Sequence, residues 1–369
     1  MSHSSVLSTV SVEHVTTAEV SKAMHFSRDK KNRGSNSKVA SGEWSKICRG
    51  AYLETQILQG RMIWHQRRIV AIARALAIAK TGQRIISGLS AAVLNDLPML
   101  HVPQDITAHL CSPAGTVPTL PAVWMDQTLV VPSGLLTRQR LLCPHLTHEA
   151  HIQSAHAMST IMLETLPGSL LTIARTAEPE EAFVALCMGL HQASAHDHVR
   201  CTDDKRRVER ARTILLSELD ALPPMTHGVH RARVLIQAAD GGCDSVAEAR
   251  LLWILKTAGV QGIQTQHVVG SAEGTFYVDV AIPSVALAIE FDGFSKYDTS
   301  PLVHQQWSEQ HRREQAIARQ GYLVQRFQWE NLNNPARMLR DLSVALAHRG
   351  QGLPYLPTAM SKMFGNDHL

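Results

Sequence analysis

Four carboxylates in the last third of the chain have types and spacing that could do chemistry together. Glu248 stands in Asp244-Ser245-Val246-Ala247-Glu248, and Asp279 in Tyr277-Val278-Asp279-Val280. Glu290 and Asp292 stand in Ile289-Glu290-Phe291-Asp292-Gly293. Side chains two apart on a strand share a face, so Glu290 and Asp292 point the same way at the end of a very apolar run. A hairpin joining 275–282 to 285–291 would bring Asp279 alongside them. Carboxylates gathered at the mouth of an apolar sheet repel one another and cost desolvation energy. A divalent cation removes that cost. Mg²⁺, or Mn²⁺ in its place, prefers hard oxygen ligands and keeps several waters, one of which can attack a phosphodiester.

The elements that must position these residues follow from local signals. A helix over 230–240 stops at Gly241-Gly242, and a second, over 245–258, opens at Asp244-Ser245 and closes at Gly259, carrying Glu248. Three strand-like runs, 263–269, 275–282 and 285–291, are separated by Gly or Pro. A helix over 302–319 ends at Gly321, a strand covers 322–329, and a last helix covers 335–347. The order is α-β-β-β-α-β-α, an α/β arrangement within a chain that is α+β overall.

This order, with Glu248, Asp279, and Glu290-Phe291-Asp292 in place, resembles the PD-(D/E)XK nuclease superfamily. More narrowly, it is similar to the endonuclease-like domain often called DUF559, related to very-short-patch-repair nucleases and found in actinobacterial proteins. The residues that carry the likeness also include Ala249-Arg250, Lys296-Tyr297, Arg313-Glu314, Gly321-Tyr322-Leu323-Val324, Gln325-Arg326-Phe327-Gln328-Trp329 and Asn331-Leu332. The resemblance implies a restriction-endonuclease-like αβββαβ core and a Mg²⁺-dependent DNA endonuclease. It implies Asp279 and Glu290 as metal ligands, with the Phe291 carbonyl completing the inner shell and Glu248 orienting a bound water. Asp292 occupies the place where the superfamily usually has Lys, whose charge stabilises a developing oxyanion. The Glu-x-Asp form is the narrower group's own pattern. Lys296 is a candidate substitute, as are Arg312 and Arg313 on the next helix.

Charge singles out the N-terminal part. Between residues 22 and 49 eight cations, Lys22, Arg28, Lys30, Lys31, Arg33, Lys38, Lys46 and Arg49, face only Asp29 and Glu43, a local surplus above the whole-chain +4. Such a block is the electrostatic footprint of phosphate contact or a solvated arm. Lys30, Lys31, Arg33, Lys38 and Arg49 are the candidate DNA-binding residues here, with Arg312 and Arg313 near the acidic cluster. Thr16-Thr17-Ala18-Glu19 opens a helix as a capping box, a second helical segment covers 37–44, and 47–53 reads as a short strand. Helix, turn, helix, strand is winged-helix order. Arg49-Gly50-Ala51-Tyr52, His65-Gln66-Arg67-Arg68 and Ser87-Gly88-Leu89-Ser90-Ala91-Ala92 are similar to the AbiEi-type antitoxin, often fused to the nuclease-like domain. That resemblance implies a DNA-binding repressor or antitoxin and a cognate toxin as partner.

The expected division is 1–55 winged helix, 56–225 mixed α/β middle region, 226–349 nuclease-like domain, and 350–369 tail. In the middle, helices are expected over 62–80 and 87–95, short strands within 100–142, and helices over 145–220 with breaks at Pro167-Gly168 and Pro179. Cys143, His145, His148, His151 and His156 cluster there, as do His191, His196, His198 and Cys201. His148 and His151 could share a helix face and bind zinc, but neither group has a zinc-finger spacing, and solvated histidines are the better reading. With 44% apolar and 18% charged residues among 369, the chain is not disordered. The apolar stretch 69–79 is interrupted by Arg74 and too short to span a bilayer, and the Ser-rich start has no signal-peptide core. The six cysteines make no Cys-x-x-Cys pair, which fits a reducing cytoplasm. Two functions stand: a Mg²⁺-dependent endonuclease acting on double-stranded DNA, or a catalytically inactive AbiEi-like repressor that only binds it.

Overall fold

The computed structural model describes residues 15–27, 34–80, 84–110, 119–194, 201–292 and 301–365. The fold is mixed α/β with several separate sheets. Contacts divide the chain into two units, the first up to Asp96 with His101–Ser169, the second Leu97–Leu100 with Leu170–Leu369.

In the first unit, α1 (Thr17–Lys22) opens with the capping box read from the sequence: the Thr16 side chain accepts from the Glu19 amide, and the Glu19 carboxylate accepts from the Thr16 amide. Then come β1 (Met24–Phe26), α2 (Ser35–Ala40), β2 (Trp44–Cys48) and β3 (Ala51–Glu54), with antiparallel sheet order β1-β3-β2. The single strand expected over 47–53 is instead a hairpin, because Gly50 turns the chain with φ +79°.

A five-stranded sheet of order β8-β5-β4-β10-β9 follows. Its strands are β4 (Arg84–Ile86), β5 (Ile106–Leu110), β8 (Leu136–Arg138), β9 (Thr147–Gln153) and β10 (Met158–Glu164). The helices α3 (Ile63–Lys80) and α4 (Gly88–Leu94) belong to the same unit, as does the small hairpin of β6 (Val123–Met125) and β7 (Thr128–Val131). Residues 147–164 are therefore strands where helix was expected. Their antiparallel ladder, Thr147↔Glu164 through Gln153↔Met158, outweighs local composition. His148 and His151, three apart on β9, point to opposite faces and share no helix face. Arg74, which breaks the apolar run of α3, is fully buried and donates to the carbonyls of Gln104, Pro121 and Pro132 at 2.7–2.8 Å.

The second unit begins with four helices, α5 (Leu166–Thr176), α6 (Pro179–Ser194), α7 (Cys201–Asp220) and α8 (Val229–Ala238). Pro167-Gly168 is no break: it lies in the first turn of α5, where Pro forfeits no helical hydrogen bond. Then come α9 (Val246–Thr257), β11 (Gln264–Ser271), β12 (Gly274–Ile282), β13 (Leu287–Phe291), α10 (Pro301–Arg319), β14 (Leu323–Phe327), α11 (Trp329–Leu332), α12 (Pro335–Ala347) and α13 (Ala359–Phe364). The sheet order is β11-β12-β13-β14, antiparallel except for the last pair, which α10 connects in parallel. Leu287 and Ile289 pack with Leu251 and Leu255 of α9 and Leu342 of α12, whereas Ala288 packs with Ile317 of α10. The period-two alternation of β13 thus separates the two sides of the sheet. After residue 350 the chain returns to the end of α9. The Gln261 amide donates to the Pro354 carbonyl at 2.8 Å, the Leu356 amide to the Gly259 carbonyl at 2.9 Å, and Phe364 meets Trp253 with ring centroids 5.6 Å apart. Among the described residues no helix is long and apolar enough to cross a membrane.

Candidate functional site

The first turn of α9 carries Glu248. Ser245 is its N-cap and accepts from the Glu248 amide, and the Glu248 carboxylate accepts from the Asp244 amide at 2.9 Å and the Ser245 hydroxyl at 2.8 Å. The sequence Asp-Ser-x-x-Glu thus both starts the helix and fixes the acid. Glu248 is only 8% exposed. Burial first, then the nearby charges of Asp279 and Asp244, push its carboxyl up to about 8 against the two local hydrogen bonds.

Asp279 lies one residue beyond the Val280↔Ile289 pair, opposite Glu290, and its carboxylate accepts from the Phe291 amide at 2.8 Å. Burial pushes its carboxyl up to about 6, with Glu290 and Asp244 adding to the rise while the Phe291 amide and Arg313 oppose it. The β11–β12 ladder passes from Thr265↔Val280 to His267↔Val278, leaving out Gln266, which has a left-handed φ of +46°. At this irregularity the sides of β12 change: Val280 packs with the α9 cluster and Val278 with the α10 cluster. Asp279 sits at the change. It is therefore near enough to Glu248 on α9 and to Glu290 on β13 for all three to be linked electrostatically.

Glu290, 7% exposed, lies on the α10 side of β13. Its Oε2 is 3.1 Å from Arg326 Nη2, and its Oε1 is 2.9 Å from Arg313 Nη2 but out of line for a hydrogen bond. Arg326 also reaches Asp292 and Glu314, both at 3.5 Å, and Gln310 donates to Asp292 at 2.9 Å. Arg313 donates to the Tyr277 carbonyl. Glu290 and Asp292 thus share Arg326, while Arg312 is an exposed neighbour on α10.

Lys296 lies outside the described residues, as do Lys30, Lys31 and Arg33. Lys38 stacks over the Trp44 ring at 4.4 Å and is 4.0 Å from Glu43, and Arg49 is exposed at the β2–β3 turn. Two residues went unremarked as site residues in the sequence. Arg326 pairs in register with Glu290 across the parallel β13–β14 ladder, and Gln266 points its amide toward Glu248 at 3.4 Å. No local signal marks either, since each depends on strand neighbours distant in the chain.

The donor set of Glu248, Asp279 and Glu290 is all oxygen and fits a hard divalent cation in kind. In the arrangement observed, no three His, Cys, Asp or Glu side chains among the described residues converge closely enough to enclose an ion, and Glu290 is held by arginines. No protein-family model matches the sequence, and neither a curated protein nor a solved structure shows significant similarity to it.

Proposed function

We propose that the second unit is a divalent-cation-dependent hydrolase of phosphodiester bonds in double-stranded DNA, and that the first unit contributes a winged-helix DNA contact. The observation that carries this reading is the electrostatic linkage of three buried acids from a helix and two adjacent strands, Glu248 to Asp279 and Asp279 to Glu290. The α-β-β-β-α-β order supports it too, since this is the plan of the PD-(D/E)XK and DUF559 nucleases. Asp279 and Glu290 would hold Mg²⁺ or Mn²⁺, with Glu248 beside them. When bound, the cation supplies positive charge to the phosphodiester oxygens and a water able to attack at neutral pH. Glu248 orients such a water by accepting its proton. Arg313 and Arg326 stand where the charge of the usual Lys is absent because Asp292 replaces it.

The test is a supercoiled-plasmid assay in Mg²⁺, Mn²⁺ or EDTA. Nicking should require the cation and should vanish in Asp279→Ala and Glu290→Ala. Cleavage that persists in both variants belongs to a contaminant and ends this reading.

A second reading is favoured by the arginine pairing of Glu290 together with Asp292 in the place of Lys. Here the fold has lost turnover, and the chain acts as an AbiEi-like DNA-binding repressor, with a cognate toxin as its further partner. Duplex binding without cleavage in either cation would support it.

A further inference from the structure

Glu290 is almost fully buried, and a carboxylate in that position is costly without positive charge beside it. Arg326 and Arg313 supply that charge from two different elements, β14 and α10. Each has a second anchor. Arg326 is held by Asp292 and Glu314, and Arg313 by the Tyr277 carbonyl. Neither is sealed in, since their side chains are 20% and 34% exposed. Resting on the hydrolase reading, we propose that these two arginines exchange partners: they neutralise Glu290 in the cation-free chain, and once a divalent cation takes Glu290 they bind a phosphate of the polynucleotide backbone.

The reasoning is electrostatic. A cation on Glu290 removes the arginines' anion and sets a like charge next to them. A guanidinium presents a planar fork of donors that matches a phosphate bidentately, so a backbone phosphate is the natural replacement. Their second anchors keep both side chains at the site rather than releasing them to solvent. Cation and polynucleotide therefore bind with positive coupling, and each must strengthen the other by the same factor. The chain alone holds a cation weakly, because two arginines compete for its ligand.

Calorimetric titration of the full chain with Ca²⁺ reads this without turnover, with and without a saturating short duplex and with the duplex alone as a blank. The duplex should tighten Ca²⁺ binding by about tenfold, within the usual range of allosteric couplings. In Arg313→Gln and Arg326→Gln, Ca²⁺ alone should bind several-fold tighter than to the unaltered chain, and the duplex should add little. Arg313→Gln, on the more exposed side chain, serves where Arg326→Gln fails to fold. Unchanged Ca²⁺ affinity in the variants, or full coupling retained in them, overturns the exchange while leaving the hydrolase reading standing. No cation binding with or without duplex removes both.

Discussion

Glu290 and Arg326 face each other in register across the parallel β13–β14 ladder, 3.1 Å apart, with the acid more deeply buried than the base. That asymmetry predicts unequal costs of breaking the pair. Glu290→Gln leaves Arg326 with Asp292 and Glu314 and should cost about 1–2 kcal/mol. Arg326→Met leaves a buried carboxylate relying on Arg313 and should cost more, about 2–4 kcal/mol. Urea unfolding of both variants in EDTA checks the order, and the reverse order would show that Arg326, not Glu290, is the group needing rescue.

The raised carboxyls of Glu248 and Asp279 predict how stability responds to pH in the absence of divalent cations. Their folded values, about 8 and about 6, lie above the ordinary values of 4.5 and 3.8. Between pH 4 and 8 the folded chain therefore holds more protons than the unfolded one, and stability falls as pH rises, by on the order of a few kcal/mol. Their contribution is complete below about pH 4 and gone above about pH 8. Glu248→Gln should flatten the upper half of that slope. Urea midpoints that fall equally steeply from pH 6 to 8 in the unaltered chain and in Glu248→Gln would contradict it.

Arg74 ties three loop carbonyls of the first unit to the middle of α3. Burial lowers its pKa to about 10, which still leaves it charged at neutral pH. Arg74→Leu keeps helix propensity but orphans the carbonyls of Gln104, Pro121 and Pro132, at a cost of about 3–5 kcal/mol. Gly134→Ala should act on the same joint. A Cβ there would meet the Gln104 carbonyl oxygen at 2.5 Å and Arg74 Nη1 at 3.1 Å. Thermal melts of the two variants, and of the double variant for non-additivity, test the joint.

The cation surplus near the N-terminus predicts a salt-dependent affinity for duplex DNA. Plotted against salt on logarithmic axes, the slope should be about −0.9 per phosphate contacted. Neutralising Lys30, Lys31 and Arg33 together should make it shallower. Anisotropy titrations at several salt concentrations measure both slopes, and equal slopes would make the basic block a passive arm.

The sequence was most legible where an element's ends are set by its own residues. Ser245 caps α9 and Gly259 follows it; α10 runs to Arg319, and Gly321 takes a φ of +90° just beyond. Such signals act within a few residues, so the order from α9 to α12 could be read directly. β9 and β10 were illegible for the opposite reason. Thr147-His148-Glu149-Ala150-His151 has no strand signature of its own and becomes a strand only through its partner. Arg326 and Gln266 were missed on the same ground, because their nearness to Glu290 and Glu248 follows from strand order and from an irregularity in one ladder.

The returning C-terminal stretch has a remote influence. By bonding to Gly259 and Gln261 and laying Phe364 on Trp253, it braces the far end of the helix whose opposite end bears Glu248. Shortening the chain before Leu353 would strip that brace, and the loss would be felt about four turns away as a loosened acid rather than as a missing tail.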